Sequence, residues 1–84
     1  MKNKILVKVV IPEIDEKFDI FIPINIRIGT LVQLLNSSLA DVTGGLYVEK
    51  DNRNLYNMND ASKYLFNSLV RETDIRNGSV VIFM

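Results

Sequence analysis

The side chains with most chemical potential in this sequence are acids. Glu13, Asp15 and Glu16 cluster in one short stretch, and paired carboxylates can hold a hard cation or act as acid and base. The same cluster between two β-branched runs also reads as a solvated turn that keeps a hairpin soluble, and the spacing favours that reading. Asp51-Asn52-x-Asn54 has the oxygen donors that open a calcium loop. It lacks the glycine at position 6 and the bidentate glutamate at position 12, so it reads as a plain turn. Gly44–Gly45 ends a helical pattern, and no Gly-Lys-Ser/Thr follows, so it is not a phosphate loop. The chain has no Cys and no His. That removes disulfides, thiolate chemistry, and the commonest general base and metal ligand. The expectation is a protein without catalytic residues, cofactor or metal.

The bulk properties point the same way. The 84 residues are 48% hydrophobic, which suits one globular domain spanning residues 1–84 and argues against disorder. The formal net charge is zero. The cations, among them Lys2, Lys4, Lys8, Arg27, Lys63, Arg71 and Arg76, are scattered among acids. A nucleic-acid partner would want them clustered beside exposed aromatics. No window approaches the ~20 apolar residues of a membrane span. The apolar run from Ile5 to Ile11 is broken by Lys8 and closed by Pro12-Glu13, unlike a signal peptide. A cytoplasmic location without membrane insertion is expected.

Hydrophobic periodicity supplies the elements. Ile5, Val7, Val9 and Ile11 share one face of a period-2 run, as do Phe18, Ile20 and Ile22. Joined by the polar stretch from Pro12 to Lys17, they read as an antiparallel hairpin. Ile24, Ile26 and Ile28 continue as an extended lead-in past Pro23. The period then changes. Thr30-x-x-Gln33 reads as a capping box, and Leu31, Leu34, Leu35, Leu39 and Val42 as one helical stripe. Gly44–Gly45 ends that helix, expected from Leu31 to about Thr43. Leu46 to Lys50 reads as a short strand and Leu55 to Met58 as a weaker one. Asn59 to Phe66 is either a helical turn capped by Asp60 or an ordered loop. The closing stretch pins Ile75 in a core, turns at Asn77–Gly78 and feeds a terminal strand from Val80. One helix on one face of a mixed five-stranded sheet is an α+β, β-grasp arrangement.

These residues carry a resemblance. Ile5-Leu6-Val7-Lys8, Thr30-Leu31 and Leu69…Ile75-Arg76-Asn77-Gly78 are similar to ubiquitin-like domains. Phe18-Asp19-Ile20-x-Ile22 and Ile75-x-Asn77-Gly78 more narrowly resemble the YukD/EsaB family of bacterial type VII secretion accessory proteins. The resemblance implies a regulatory or accessory protein that works by binding. Small ubiquitin-like subunits of multicomponent monooxygenases are the alternative it implies. A conjugated modifier or sulfur carrier would need a Gly-Gly tail beyond Met84, so a non-conjugating role is expected.

Strand alternation then selects a candidate surface. With Ile5 and Val7 facing the helix, Leu6 and Lys8 face away. The same phase sends Phe21, Tyr47, Val80 and Ile82 outward. The free face of such a sheet is normally polar. Contiguous apolar area there marks a partner surface, for another protein or a second copy in a homodimer. Phe21 and Tyr47 are the expected aromatic anchors, while Val7 and Leu34 are expected in the core.

Overall fold

A computed structural model describes residues 3–84. Lys2, one of the scattered cations, lies outside the described residues. Strand β1 (Lys4–Ile11) leads through a 3₁₀ turn at Pro12–Ile14 into β2 (Glu16–Pro23). Asp15 takes the left-handed conformation there (φ 53°), and its amide donates to the Pro12 carbonyl at 3.2 Å. Short polar side chains tolerate that conformation. Helix α1 (Ile28–Val42) follows, then β3 (Leu55–Asn57), a second 3₁₀ turn at Val70–Glu72 and β4 (Val80–Phe83). The sheet order is β2-β1-β4-β3. β1 and β4 are parallel and the other pairings antiparallel. The helix packs one face of the sheet around Val7, Val9, Ile11, Ile22, Val81 and Phe83. Ile75 is buried and the chain turns at Asn77–Gly78, with Gly78 at φ 88°.

Among the described residues the sheet has four strands, not five. The expected strand from Leu46 to Lys50 is an irregular segment because α1 claims its hydrogen bonds. Asn36 donates to the Lys50 carbonyl at 3.0 Å, and its side-chain oxygen accepts from the Lys50 amide at 3.2 Å. The Tyr47 amide donates to the Thr43 hydroxyl at 2.9 Å. Backbone groups spent on helix side chains cannot also serve a ladder.

The helix also departs from its expected start. It begins at Ile28 with Arg27 as N-cap and no side-chain cap, so Thr30–Gln33 forms no capping box. The amides of Ile28 and Gly29 donate to the carbonyls of Ser68 (2.8 Å) and Phe66 (3.1 Å). A distant segment thus satisfies the first orphan donors of the helix. Its buried stripe is Ile28, Leu31, Val32, Leu35 and Leu39. Leu34 and Val42, expected in that stripe, are 50% and 66% exposed on its flank. The Asn59–Phe66 connection is a loop whose residues 62–64 run beside β3. The Asn57 amide donates to the Ser62 carbonyl (2.8 Å) and the Tyr64 amide to the Leu55 carbonyl (2.9 Å).

Candidate interaction surface

The strand register lays out the face of the sheet away from α1. Leu6 lies opposite Phe21, and Lys8 lies between Asp19 on one side and Val80 on the other. Val10 neighbours Lys17 and Ile82, and Ile82 neighbours Tyr56. Leu6, Val10, Tyr56, Val80 and Ile82 are half-buried, and Phe21 is 57% exposed. Lys8 and Asp19 form a solvated ion pair at 3.6 Å that crosses this apolar area. Of the residues the sequence nominates, the structure brings together Leu6, Lys8, Phe21, Val80 and Ile82.

Tyr47 does not join them. It is fully buried on the helix side, with its ring 5.7 Å from that of Phe83. Its hydroxyl donates to the Asn36 side-chain oxygen, and burial pushes its pKa up. The segment is no strand, so the alternation that sent Tyr47 outward has no sheet to refer to. Tyr56 takes the aromatic place on the outer face instead. Its signal was legible in the alternation of Leu55 and Tyr56 beside a buried Leu55, as Val10's was in the phase of β1.

Of the acidic cluster, Glu13 has a structural job. Glu13 accepts from Arg53 Nη2 at 2.9 and 2.8 Å and from the Lys50 ammonium. These bonds, Lys50's first and Arg53's next, hold the Glu13 carboxyl below its ordinary value. The Arg53 guanidinium also lies 5.3 Å from the centre of the Tyr47 ring. Glu13 therefore ties the hairpin turn to the loop that covers Tyr47. Across the molecule, Tyr64 donates to Asp74 at 2.7 Å, and burial and that bond together raise its pKa far above the ordinary tyrosine value. Asn57 donates to the other Asp74 oxygen at 2.8 Å, so this network fastens the loop after β3. Glu13, Lys50 and Arg53 thus bond among themselves, as do Tyr64, Asn57 and Asp74, while Arg53 Nε is buried without a hydrogen-bond partner among the described residues.

No protein-family profile matches the sequence, and no curated protein matches it. Solved structures do. The EccD5 ubiquitin-like domain from Mycobacterium xenopi superposes with a TM-score of 0.80 at 13% identity, over 96% of this chain and 92% of that one. A chain of the ESX-5 inner membrane complex matches at 0.72 and 17% identity, over 98% of this chain but only 21% of its own length. A chain of the toluene 4-monooxygenase HD complex matches at 0.73 and 7% identity, over 95% of each. At such identities the likeness is one of fold. No helix among the described residues is long and apolar enough to cross a membrane. The chain has the ubiquitin-like β-grasp fold, with one helix on a mixed sheet.

Proposed function

We propose that this chain is a non-catalytic protein-binding module, an accessory component of a type VII-like secretion system of the YukD/EsaB kind, working through the outer face of its sheet. The observation that carries the binding role is the apolar area of Leu6, Val10, Phe21, Tyr56, Val80 and Ile82 on a face no element covers among the described residues. Apolar area gathered on one free face is the usual mark of a partner surface. The likeness to the EccD5 domain and to a chain of the ESX-5 complex supports the secretion setting.

The experiment is co-purification of the tagged chain with its neighbours in the cell, comparing wild type with Phe21→Ala and Tyr56→Ala. Each substitution is expected to weaken capture by about 1–3 kcal/mol while thermal melts stay close to wild type. Unchanged capture by both variants would remove the outer face from the reading. The captured protein decides the setting. A membrane-anchored secretion assembly supports the first reading. Oxygenase subunits support a second, a small subunit of a multicomponent monooxygenase, which the end-to-end likeness to the toluene 4-monooxygenase chain favours.

A further inference from the structure

The two edges of the sheet are treated differently. Residues 62–64 run beside β3 and bond to it at Leu55 and Asn57. No strand among the described residues lies beyond β2. Its eight residues form the long open edge of the sheet.

The hydrogen-bond phase shows which groups that edge presents. The Ile24 amide donates to the Asn3 carbonyl at 3.0 Å, in step with the register that pairs Ile5 with Ile22, Val7 with Ile20 and Val9 with Phe18. In an antiparallel ladder these alternate pairs exchange both bonds. On the other side of β1, the Lys8 amide donates to Ser79 and the Leu6 carbonyl accepts from Gly78, which confirms the phase. Lys17, Asp19 and Phe21 therefore project their amides and carbonyls outward from the sheet. A row of that kind is a template for another strand.

We propose that this edge joins a second copy of the chain, β2 against β2 and antiparallel, with Lys17 opposite the partner's Asp19 and Phe18 on the two-fold axis. Five antiparallel registers oppose at least one pair drawn from these three residues. Centring the contact on Lys17 sets it against the partner's Lys17, a like-charge pair, and centring it on Phe21 sets Asp19 against the partner's Pro23, which has no amide to donate. Pairing Lys17 with the partner's Phe21 sets Asp19 directly against the partner's Asp19, and like charges in that position are destabilising. Pairing Asp19 with the partner's Phe21 brings Lys17 against the partner's Pro23, which has no amide to donate. The remaining register matches opposite charges twice. Lys8, Asp19 and the partner's Lys17 then form a ladder built on the Lys8–Asp19 pair already present. It also places Phe18, half-buried on the helix side, at a non-hydrogen-bonded site facing the partner's Phe18. Side chains approach most closely at such sites, where aromatic pairs are favourable. The contact is isologous and closes at two copies. It fuses the two four-stranded sheets and leaves both outer faces open.

The test is sedimentation velocity on the purified chain over a concentration series reaching ~1 mM, since short edge contacts are weak. Lys17→Glu and Asp19→Lys should each weaken self-association at least about tenfold, because each turns both matched pairs into like-charge pairs. An equimolar mixture of the two variants should associate again, because opposite charges then meet at both positions. Hydrogen exchange should show the amides of Lys17 and Asp19 gaining protection as concentration rises. A chain monomeric throughout the series overturns the proposal. So does association that ignores both charge changes, or a mixture no better than either variant alone. Association lost in Ile82→Asp but kept in the charge variants would place the contact on the outer face, overturning this inference while leaving the proposed partner surface intact.

Discussion

The Tyr47 ring closes the core beside Phe83, under the Arg53 guanidinium, with its hydroxyl bonded to Asn36. Tyr47→Ala should therefore destabilise the fold by about 3–5 kcal/mol, the range for deleting a buried ring. Tyr47→Phe keeps the ring and should cost about 1 kcal/mol for the lost hydrogen bond. Leu34→Ala, at a half-exposed position, should shift stability by no more than about 0.5 kcal/mol. Urea denaturation of the three variants checks the order. Glu13 makes a prediction in pH. Its folded pKa lies below the ordinary 4.5 because Lys50 and Arg53 bind the charged form. The stability these bonds contribute is present above the unfolded value and is lost as pH falls through the folded one. Wild type should lose stability relative to Glu13→Gln on acidification below about pH 4.5, and the two should run parallel above it. Melts across the acid range read this directly.

At the scale of elements, α1 organises more than its own stripe. Asn36, on its flank, accepts from the Tyr47 hydroxyl and the Lys50 amide and donates to the Lys50 carbonyl. Asn36→Ala strands a buried hydroxyl and frees the segment after the helix. The expected cost is about 1–3 kcal/mol, with faster exchange of the Lys50 amide. The end of α1 depends on backbone conformation. Gly45, at φ 91°, donates to the Ala40 carbonyl at 3.0 Å, and a Cβ there would meet nothing within 4 Å. Gly45→Ala should thus cost about 1 kcal/mol through the left-handed conformation alone, with no clash to relieve. A melting series including Gly45→Asn, which tolerates that conformation better, separates this cause from packing.

For the whole molecule, one sheet serves two surfaces. Its inner face carries Val7, Val9, Ile11 and Ile22 into the core under α1, while the outer face keeps Phe21 and Tyr56 accessible. Val7→Ala should cost about 2–4 kcal/mol of stability. Phe21→Ala should cost far less, so folding and binding separate across the thickness of one strand pair. Paired melts and capture assays on these two variants check that separation.

The hairpin, the terminal strand and its turn, and the end of α1 could all be read from the chain. Their signals are local: apolar residues at every second position in Ile5–Ile11 and Phe18–Ile22, left-handed glycines at Gly44 and Gly45, and the Asn77–Gly78 turn. Most of the outer face followed, because alternation within a real strand fixes where each side chain points. Three departures share one physical cause, the capture of local groups by others far along the chain. Ser68 and Phe66 capped the helix in place of Thr30–Gln33, and Asn36 drew Leu46–Lys50 out of any sheet. Tyr47 lies in the core under the Arg53 guanidinium that Glu13 holds. Leu34 fits the helical period as well as Leu35 does. Only the direction from which the sheet meets α1 buried one and exposed the other, because periodicity gives a stripe its spacing and tertiary contact gives it a side.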